Sequence, residues 1–380
     1  MFYWLSELSD AVSMLRIFQY ITFRAMMAAG TAFVFSLIIG PRLIRKLRAI
    51  SFGELREDER VAGLDRKAKV GTPTMGGLMI LFTTAASTLL WSVPGNFYVL
   101  CALATFLFLG ALGFVDDYRK IKKSDGLSPR AKLAAQILWT AILLTALFIN
   151  PETAARTKQL MVPFLKVPLI SSMGLIGTFI FIFLVLVGAS NAVNLTDGLD
   201  GLAIGCSNSA MVAYLVMAYA AGHFTFAEYL QVPFIQTGGE LAVFCGALLG
   251  AGLGFMWFNC HPAQVFMGDT GSLAIGGGIA AVAILIKQEL VLIIVGGVFV
   301  MEAASVLIQQ NWFKFTRRKY GTGRRIFRCA PLHHHFEYIA KERAEQSGRP
   351  LGAAENMITV RFWILSIVFA MLGLATLKIR

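Results

Sequence analysis

The chain has 380 residues, of which 57% are hydrophobic and only 15% are charged, and its formal net charge is +12. So few charged side chains cannot cover the surface of a water-soluble protein, and the composition therefore excludes a soluble globular fold. A bilayer core about 30 Å thick needs roughly 20 apolar residues per helix. We expect a single all-α integral membrane domain over residues 1–380, with about ten transmembrane helices.

The predicted helices are distributed along the whole chain. The first residues, MFYWLSELSD, carry acids and lack a basic leader, so we expect an interfacial helix there instead of a cleaved signal peptide. The apolar runs that predict membrane helices are 17–41, 74–93, 97–115, 132–149, 172–190, 201–221, 240–258, 272–287, 290–312 and 358–377. Arg24, near the outer end of the first run, can extend its charged end to the membrane surface.

Lysine and arginine are concentrated in three loops, 42–72, 116–132 and 313–357, which follow the first, third and ninth predicted helices. The positive-inside rule places these loops in the cytoplasm and both termini in the periplasm. Topology alone accounts for this one-sided charge, although the same charge would also attract anionic lipids and nucleotides.

Four polar motifs emerge on the predicted cytoplasmic face. Asp116 and Asp117 end the third helix, and NAVNLTDGLDG (191–201) links the fifth helix to the sixth. MGDTGS (267–272) opens the eighth helix, and PLHHHFE (331–337) lies in the long loop after the ninth. Since the outer loops carry no comparable cluster, we predict an active site at the cytoplasmic face.

The acidic residues have simpler interpretations as well. Asp116 and Asp117 repel each other at a helix C-terminus and need a nearby cation, which a divalent metal, Arg119 or Lys120 would supply. A solvated surface pair is an equally good interpretation. Asp269 is well placed to cap the eighth helix, a role compatible with holding Mg²⁺ next to bound phosphates.

The amide and histidine motifs also have more than one interpretation. Asp200 is a candidate cap of the sixth helix, but two asparagines and two aspartates in one connection exceed the needs of capping and favour hydrogen bonds to a sugar or base. Adjacent histidines project apart, so at most two of the three share a site, for phosphate binding or proton transfer. Glu302, inside the ninth helix, is expected to face the bundle interior as a partner of a buried polar group.

These residue types suit the joining of a nucleotide diphosphate sugar to a lipid phosphate. Repulsion between two polyanions is the main barrier to their contact, and a divalent metal, lysines and histidine would offset it. The lipid phosphate would attack the phosphorus next to the sugar, and uridine monophosphate would leave.

The four motifs, together with GTPTMGG at Gly71, resemble the bacterial phospho-N-acetylmuramoyl-pentapeptide transferase family, and the resemblance covers essentially the whole chain. The triple histidine is the most discriminating feature, because related N-acetylglucosamine-phosphate transferases are similar in the acidic motifs but lack it. The resemblance implies formation of lipid I from UDP-MurNAc-pentapeptide and undecaprenyl phosphate for peptidoglycan synthesis. It also implies a multi-pass homodimer in the bacterial inner membrane, with no role for nucleic acid.

The resemblance implies site residues too. Asp269 would bind Mg²⁺ with Asp116 and Asp117 nearby, and Asp116 would act either as the base that deprotonates the lipid phosphate or as a covalent nucleophile. His333 is expected to be catalytic. The expected substrate-binding residues are Lys69, Lys120, Lys132, Asn191, Asn194, Asp197, Asp200, Asn259, Phe266, Gln309, His334 and His335. Phe266 would offer its ring to the uracil base.

Other classes of protein fit less well. A related N-acetylglucosamine-1-phosphate transferase is the nearest alternative. A transporter would show internal repeats or charges near the membrane midplane, and an intramembrane aspartyl protease would need its two acids within helices. Neither of these accounts for PLHHHFE.

Overall fold

The computed structural model describes residues 1–51, 71–123, 125–347 and 352–378, and within them the fold is helical apart from one isolated bridge between Leu160 and Ile170. Two 3-10 helices, Phe2–Asp10 and Ser13–Gln19, precede the first α-helix. The α-helices are α1 (Ile21–Ser51), α2 (Gly77–Trp91), α3 (Phe97–Lys123), α4 (Pro129–Ile149), α5 (Pro151–Thr157), α6 (Gly174–Thr196), α7 (Leu202–Gly222), α8 (Phe224–Leu230), α9 (Leu241–Asn259), α10 (Gly268–Leu285), α11 (Val291–Val295), α12 (Gly297–Tyr320), α13 (Leu332–Ser347) and α14 (Gly352–Ala375).

The predicted all-α polytopic membrane fold is confirmed. Among the described residues, eight helices are long and apolar enough to cross a bilayer: α1, α3, α4, α6, α7, α9, α10 and α14. The apolar helix α2 is shorter. The predicted ninth helix is divided at Gly296 into α11 and α12, and α12 ends on the basic residues Arg317, Arg318 and Lys319.

Helix boundaries differ from the prediction at all four polar motifs. Helix α3 continues to Lys123, so Asp116 and Asp117 lie inside its last turns instead of ending it. Helix α6 continues through Thr196, which makes the NAVNLT half of the 191–201 motif helical. Helix α10 already begins at Gly268, and the triple histidine lies in the first turn of α13, where a loop was expected. At each motif one polar side chain has a partner on another helix: Asp117 with Thr270, Asn194 with Ser272, Asp269 with Lys132, and His333 with Glu302.

Helix α10 lies at the centre of the bundle, and every residue from Thr270 to Leu285 is buried. Small residues let its neighbours approach the backbone closely. A Cβ placed on Gly276 would lie 2.6 Å from the carbonyl oxygen of Ala189 in α6. Gly246 and Gly250 of α9 allow a similar close approach, because Cβ atoms on them would lie 2.5 and 2.0 Å from α1 carbonyl oxygens.

The prediction that Arg24 extends to the membrane surface is wrong. Its side chain is buried and donates to both carboxylate oxygens of Glu240, at 2.6 and 2.5 Å. It also donates to the carbonyl oxygen of Trp91 at 3.3 Å. A buried carboxylate that lies far away in the sequence thus replaces water as the partner of this charge.

Candidate active site

The acidic motifs of α3 and α10 meet where the two helices cross. A Cβ on Gly113 of α3 would lie 2.1 Å from the carbonyl oxygen of Asp269, so glycine is needed for this close approach. One turn further along α3, ligand oxygens of Asp116 and Asp117 come together with one of Asp269, all within 4.8 Å of one another. The predicted convergence of the three carboxylates is therefore observed.

Asp117 caps the N-terminus of α10 from the neighbouring helix. Its Oδ1 accepts the backbone N–H of Asp269 at 3.2 Å, and its Oδ2 accepts both the N–H and the hydroxyl of Thr270, at 2.9 and 2.7 Å. Negative charge is favourable at this end of a helix. Asp269 itself lies inside the first turn of α10 and does not cap it, so the capping interpretation of Asp269 is wrong.

Two lysines bridge Asp116 to Asp269. Lys120 lies 2.5 Å from Oδ2 of Asp116 and 2.9 Å from Oδ2 of Asp269, and Lys132 lies 2.7 and 2.8 Å from the same two atoms. The backbone N–H of Leu127 donates to the other oxygen of Asp116 at 2.6 Å. Lys120 was predicted as a possible cation for the Asp116–Asp117 pair, and its position here agrees with that prediction. Both lysines were also predicted as phosphate ligands.

The charge and chemistry of this cluster suit a divalent metal. Three carboxylates against two lysine ammonium groups leave one negative charge in excess, and carboxylate oxygens are the ligands that Mg²⁺ prefers. The carboxylates lie on two helices that are packed directly against each other, so the cluster is held rigidly. The described residues thus contain an acidic cluster that fits a divalent ion.

The asparagines of the 191–201 motif are part of α6. Asn194 accepts a hydrogen bond from the hydroxyl of Ser272 in α10 at 3.1 Å, which places it beside the carboxylate cluster. Asn191 donates to the carbonyl oxygen of Val187 within its own helix at 2.8 Å. Asp197 ends α6, and burial raises its pKa to about 7, with contributions of the same sign from Asp269 and Asp117.

Asp200 and Asn259 hold two loops together. Oδ2 of Asp200 accepts the backbone N–H of Ala263 at 3.2 Å and lies 3.1 Å from Nδ1 of His261. Asn259 accepts the N–H of Gly201 at 3.1 Å and donates to the carbonyl oxygen of Val265 at 2.8 Å. Both were predicted to bind substrate, but these contacts tie the 197–201 turn to the segment before α10. Asp200 does not cap α7, whose N-cap position is Gly201.

Phe266 lies in that segment, paired with the chain ahead of α2. Its N–H donates to the carbonyl oxygen of Pro73, and its own carbonyl oxygen accepts the N–H of Gly76, both at 2.8 Å. A Cβ on Gly77 would lie 2.2 Å from the backbone nitrogen of Gly271, so the GTPTMGG segment packs directly on the first turn of α10. Lys69, predicted to bind phosphate, lies outside the described residues.

The three histidines have three different environments. Nδ1 of His333 lies 3.1 Å from Oε2 of Glu302, which confirms that Glu302 is the partner of a buried polar group. Nδ1 of His334 lies 2.8 Å from Oε2 of Glu337, and Nδ1 of His335 accepts the backbone N–H of Arg328 at 3.2 Å. Burial lowers the pKa of His333, although Glu302 opposes the shift. As predicted, the rings do not converge on one point.

Gln309 was predicted to line the nucleotide pocket. Its amide oxygen accepts the backbone N–H groups of Ile326 and Phe327, each at 3.0 Å, and its amide nitrogen donates to the carbonyl oxygen of Phe327 at 3.0 Å. In this structure Gln309 therefore holds the segment that leads to the triple histidine against α12.

Sequence reasoning missed several residues that build the site. Thr270 donates to Asp117 through two groups, and Trp363 of α14 donates to the carbonyl oxygen of Gly201 at 3.0 Å. The threonine beside Asp269 was a usable signal, because the first turn of a helix offers free N–H groups to a carboxylate. Nothing in the local sequence relates Trp363 to a turn about 160 residues earlier.

Comparison with known proteins agrees with this geometry. The model of glycosyl transferase family 4 matches residues 99–287, and signature 1 of the phospho-N-acetylmuramoyl-pentapeptide-transferases matches residues 69–81. The transferase of Maridesulfovibrio salexigens is 47% identical, with 100% of this chain and 99% of the relative covered. That of Solidesulfovibrio magneticus is 48% identical with the same coverage, and that of Methylacidiphilum infernorum is 45% identical over the full length of both chains. The chain therefore belongs to the phospho-N-acetylmuramoyl-pentapeptide-transferase family of multi-pass membrane enzymes.

Proposed function

We propose that this protein transfers phospho-N-acetylmuramoyl-pentapeptide from UDP-MurNAc-pentapeptide to undecaprenyl phosphate in the bacterial inner membrane, giving lipid I and UMP. One observation carries the proposal: three carboxylates and two lysines meet at the end of a helical membrane bundle. The relatives reported above, similar over their full lengths, are named phospho-N-acetylmuramoyl-pentapeptide-transferases, which supports the identity of the transferred group.

In the proposed reaction an oxygen of the lipid phosphate forms a bond to the phosphorus that carries the sugar. The bond from that phosphorus to the bridging oxygen breaks, and UMP leaves with the electron pair. Asp116, Asp117 and Asp269 would hold Mg²⁺, which supplies charge neutralisation to the phosphate oxygens when it is bound.

Lys120 and Lys132 are the cations of the chain that adjoin this cluster in the described residues. Each lies between Asp116 and Asp269, and each keeps a side chain that is about a quarter to a third exposed. Phosphate oxygens that approach the carboxylates would meet these ammonium groups, which offset the repulsion between the two polyanionic substrates. We assign both lysines to phosphate binding in the loaded site.

We assign Asp116 as the base that accepts the proton of undecaprenyl phosphate. A covalent mechanism predicts that the enzyme releases one equivalent of UMP from UDP-MurNAc-pentapeptide when no lipid phosphate is present. Direct attack with Asp116 as base predicts no UMP release until undecaprenyl phosphate is added.

For the nucleotide we propose that Asn194, Asp197 and the ring of Phe266 contact the uridine, and that His334 and His335 act near the diphosphate or the muramoyl-peptide group. We further propose that the enzyme is a homodimer.

A purified-protein assay that offers either UDP-MurNAc-pentapeptide or UDP-N-acetylglucosamine, with undecaprenyl phosphate and Mg²⁺, tests the proposal. We expect lipid product from the muramoyl-pentapeptide donor alone. Product from N-acetylglucosamine alone would instead assign the chain to the related reaction.

A further inference from the structure

A polar stripe on α12 holds the segment that carries the triple histidine. Glu302, Gln309 and Thr316 are seven residues apart along α12 and therefore face the same side of the helix. Thr316 accepts the N–H of Arg324, Gln309 accepts those of Ile326 and Phe327, and Glu302 accepts that of His333. The segment 324–333 thus runs back along α12 and is attached at three successive points.

Glu302 makes the innermost attachment, and both it and His333 have no exposed surface. Its carboxylate lies 3.1 and 3.4 Å from the backbone nitrogen of His333 and 3.1 Å from its ring Nδ1. The backbone N–H belongs to the first turn of α13, an end of the helix that favours negative charge. A carboxylate accepts hydrogen bonds only, so it selects the His333 tautomer that carries its proton on Nδ1.

The other ring nitrogen of His333 faces the 197–201 turn. Nε2 is buried and makes no hydrogen bond within the described part of the chain. A Cβ built on Gly198 would lie 2.2 Å from this atom, so the ring rests directly against the Cα of Gly198. An unprotonated nitrogen is the favourable form here, since its lone pair can face a Cα–H group while an N–H would be left without an acceptor.

We infer that Glu302 is a positioning residue which, through His333, sets the place of the Asp197–Gly198 turn on the sugar-nucleotide side of the site. This inference rests on the proposed function. His333 then supports the turn from behind without touching the substrate, since its ring is buried and separated from solvent. Among the residues near the turn, Asp197 is the one whose position the Glu302–His333 pair controls.

The substitution Glu302→Gln tests this directly. Glutamine has nearly the same shape, and its oxygen can still accept the N–H of His333, but its NH₂ group would donate to Nδ1. The proton of His333 then moves to Nε2 and points at Gly198. We expect the KM for UDP-MurNAc-pentapeptide to rise about tenfold, the effect of losing one well-placed hydrogen bond. The KM for undecaprenyl phosphate should not change.

Nitrogen-15 NMR of histidine-labelled protein reads the tautomer independently of activity. The wild type should show the proton of His333 on Nδ1, and Glu302→Gln should show it on Nε2. Glu302→Asp should return the proton to Nδ1 and restore part of the affinity for the sugar nucleotide. A wild-type His333 with its proton on Nε2 would overturn the inference, whether or not any variant folds.

Glu289→Gln is the matched control, because Glu289 is also a buried carboxylate and its partner is Lys287, remote from the site in sequence and contacts. It should leave both KM values unchanged. An equal rise in both KM values for Glu302→Gln, or a lower kcat alone, would indicate a general structural role and contradict the inference. If the wild-type protein does not use UDP-MurNAc-pentapeptide, the proposed function is wrong. The NMR measurement of the His333 tautomer still tests the contact with Glu302 in that case.

Discussion

The substitution Gly113→Ala should separate the carboxylates of α3 from Asp269 without removing any catalytic group. The new Cβ would lie 2.1 Å from the carbonyl oxygen of Asp269 and 2.7 Å from the Cα of Thr270. A normal carbon–oxygen contact is about 3.2 Å or longer, so the first turn of α10 must move away by roughly 1 Å. Overpacking of this kind costs about 1–3 kcal/mol.

The displacement also acts on the capping contacts. The backbone N–H groups of Asp269 and Thr270 lie 3.2 and 2.9 Å from Asp117, and a shift of roughly 1 Å would take both beyond hydrogen-bond distance. A misplacement of about 1 Å in a catalytic arrangement can lower the rate roughly a hundredfold. We therefore expect kcat to fall by about that factor and the Mg²⁺ concentration for half-maximal activity to rise.

The assay is UMP release by purified protein with UDP-MurNAc-pentapeptide and undecaprenyl phosphate across a Mg²⁺ titration. Gly188→Ala in α6 is the control, because a Cβ there would meet no atom within 4 Å. It should keep wild-type activity. Wild-type kcat and Mg²⁺ dependence in a folded Gly113→Ala protein would refute the argument that this crossing sets the distance between the carboxylates.

Three further predictions concern charge. Lys132→Met should raise the KM for the sugar nucleotide, because one cation that faces the phosphates is lost, and this KM should depend less on ionic strength than that of the wild type. A KM that is unchanged across a salt titration would contradict the assignment of Lys132 to phosphate binding. The pKa of Asp197 is about 7 in the folded protein, against 3.8 for an unperturbed aspartate, so the folded state binds the extra proton and the unfolding free energy should fall as pH rises from about 4 to 7. Thermal unfolding of Asp197→Asn should lack this decline, and an equal decline in both proteins would show that another group is responsible. Arg24→Met should lower the free energy of unfolding by about 3–5 kcal/mol, because it leaves Glu240 buried without its cation. Adding Glu240→Met should recover most of this lost stability. A double variant that is less stable than Arg24→Met in a denaturation experiment would contradict the prediction.

Much of the chemistry was readable from local sequence. Membrane helices are long apolar runs, and the charges that interrupt them are so rare that each one indicates a function or a partner. For this reason Asp116, Asp117, Asp269 and the triple histidine could be identified in advance. Glu302 was also recognised as needing a buried partner, although its partner His333 was not predicted.

The individual roles were harder to predict. Asp117 lies in the acidic cluster, as predicted, and also caps α10, which was not predicted; Asn259 and Gln309, predicted to bind substrate, bind backbone groups of their own chain in this structure. Amide and carboxylate side chains serve substrates and backbone equally well, so residue type alone does not distinguish the two uses.

The amino-acid sequence by itself determined the class of protein, the approximate helices and which residues carry chemistry, because hydrophobic length and charge are properties of short segments. The tertiary structure alone decided which oxygen meets which donor. The contact of Gly113 with Asp269, the pairing of Arg24 with Glu240 and the placement of His333 on Gly198 each join segments more than 100 residues apart. Such contacts depend on how whole helices cross, and no local pattern encodes the distance between two backbones.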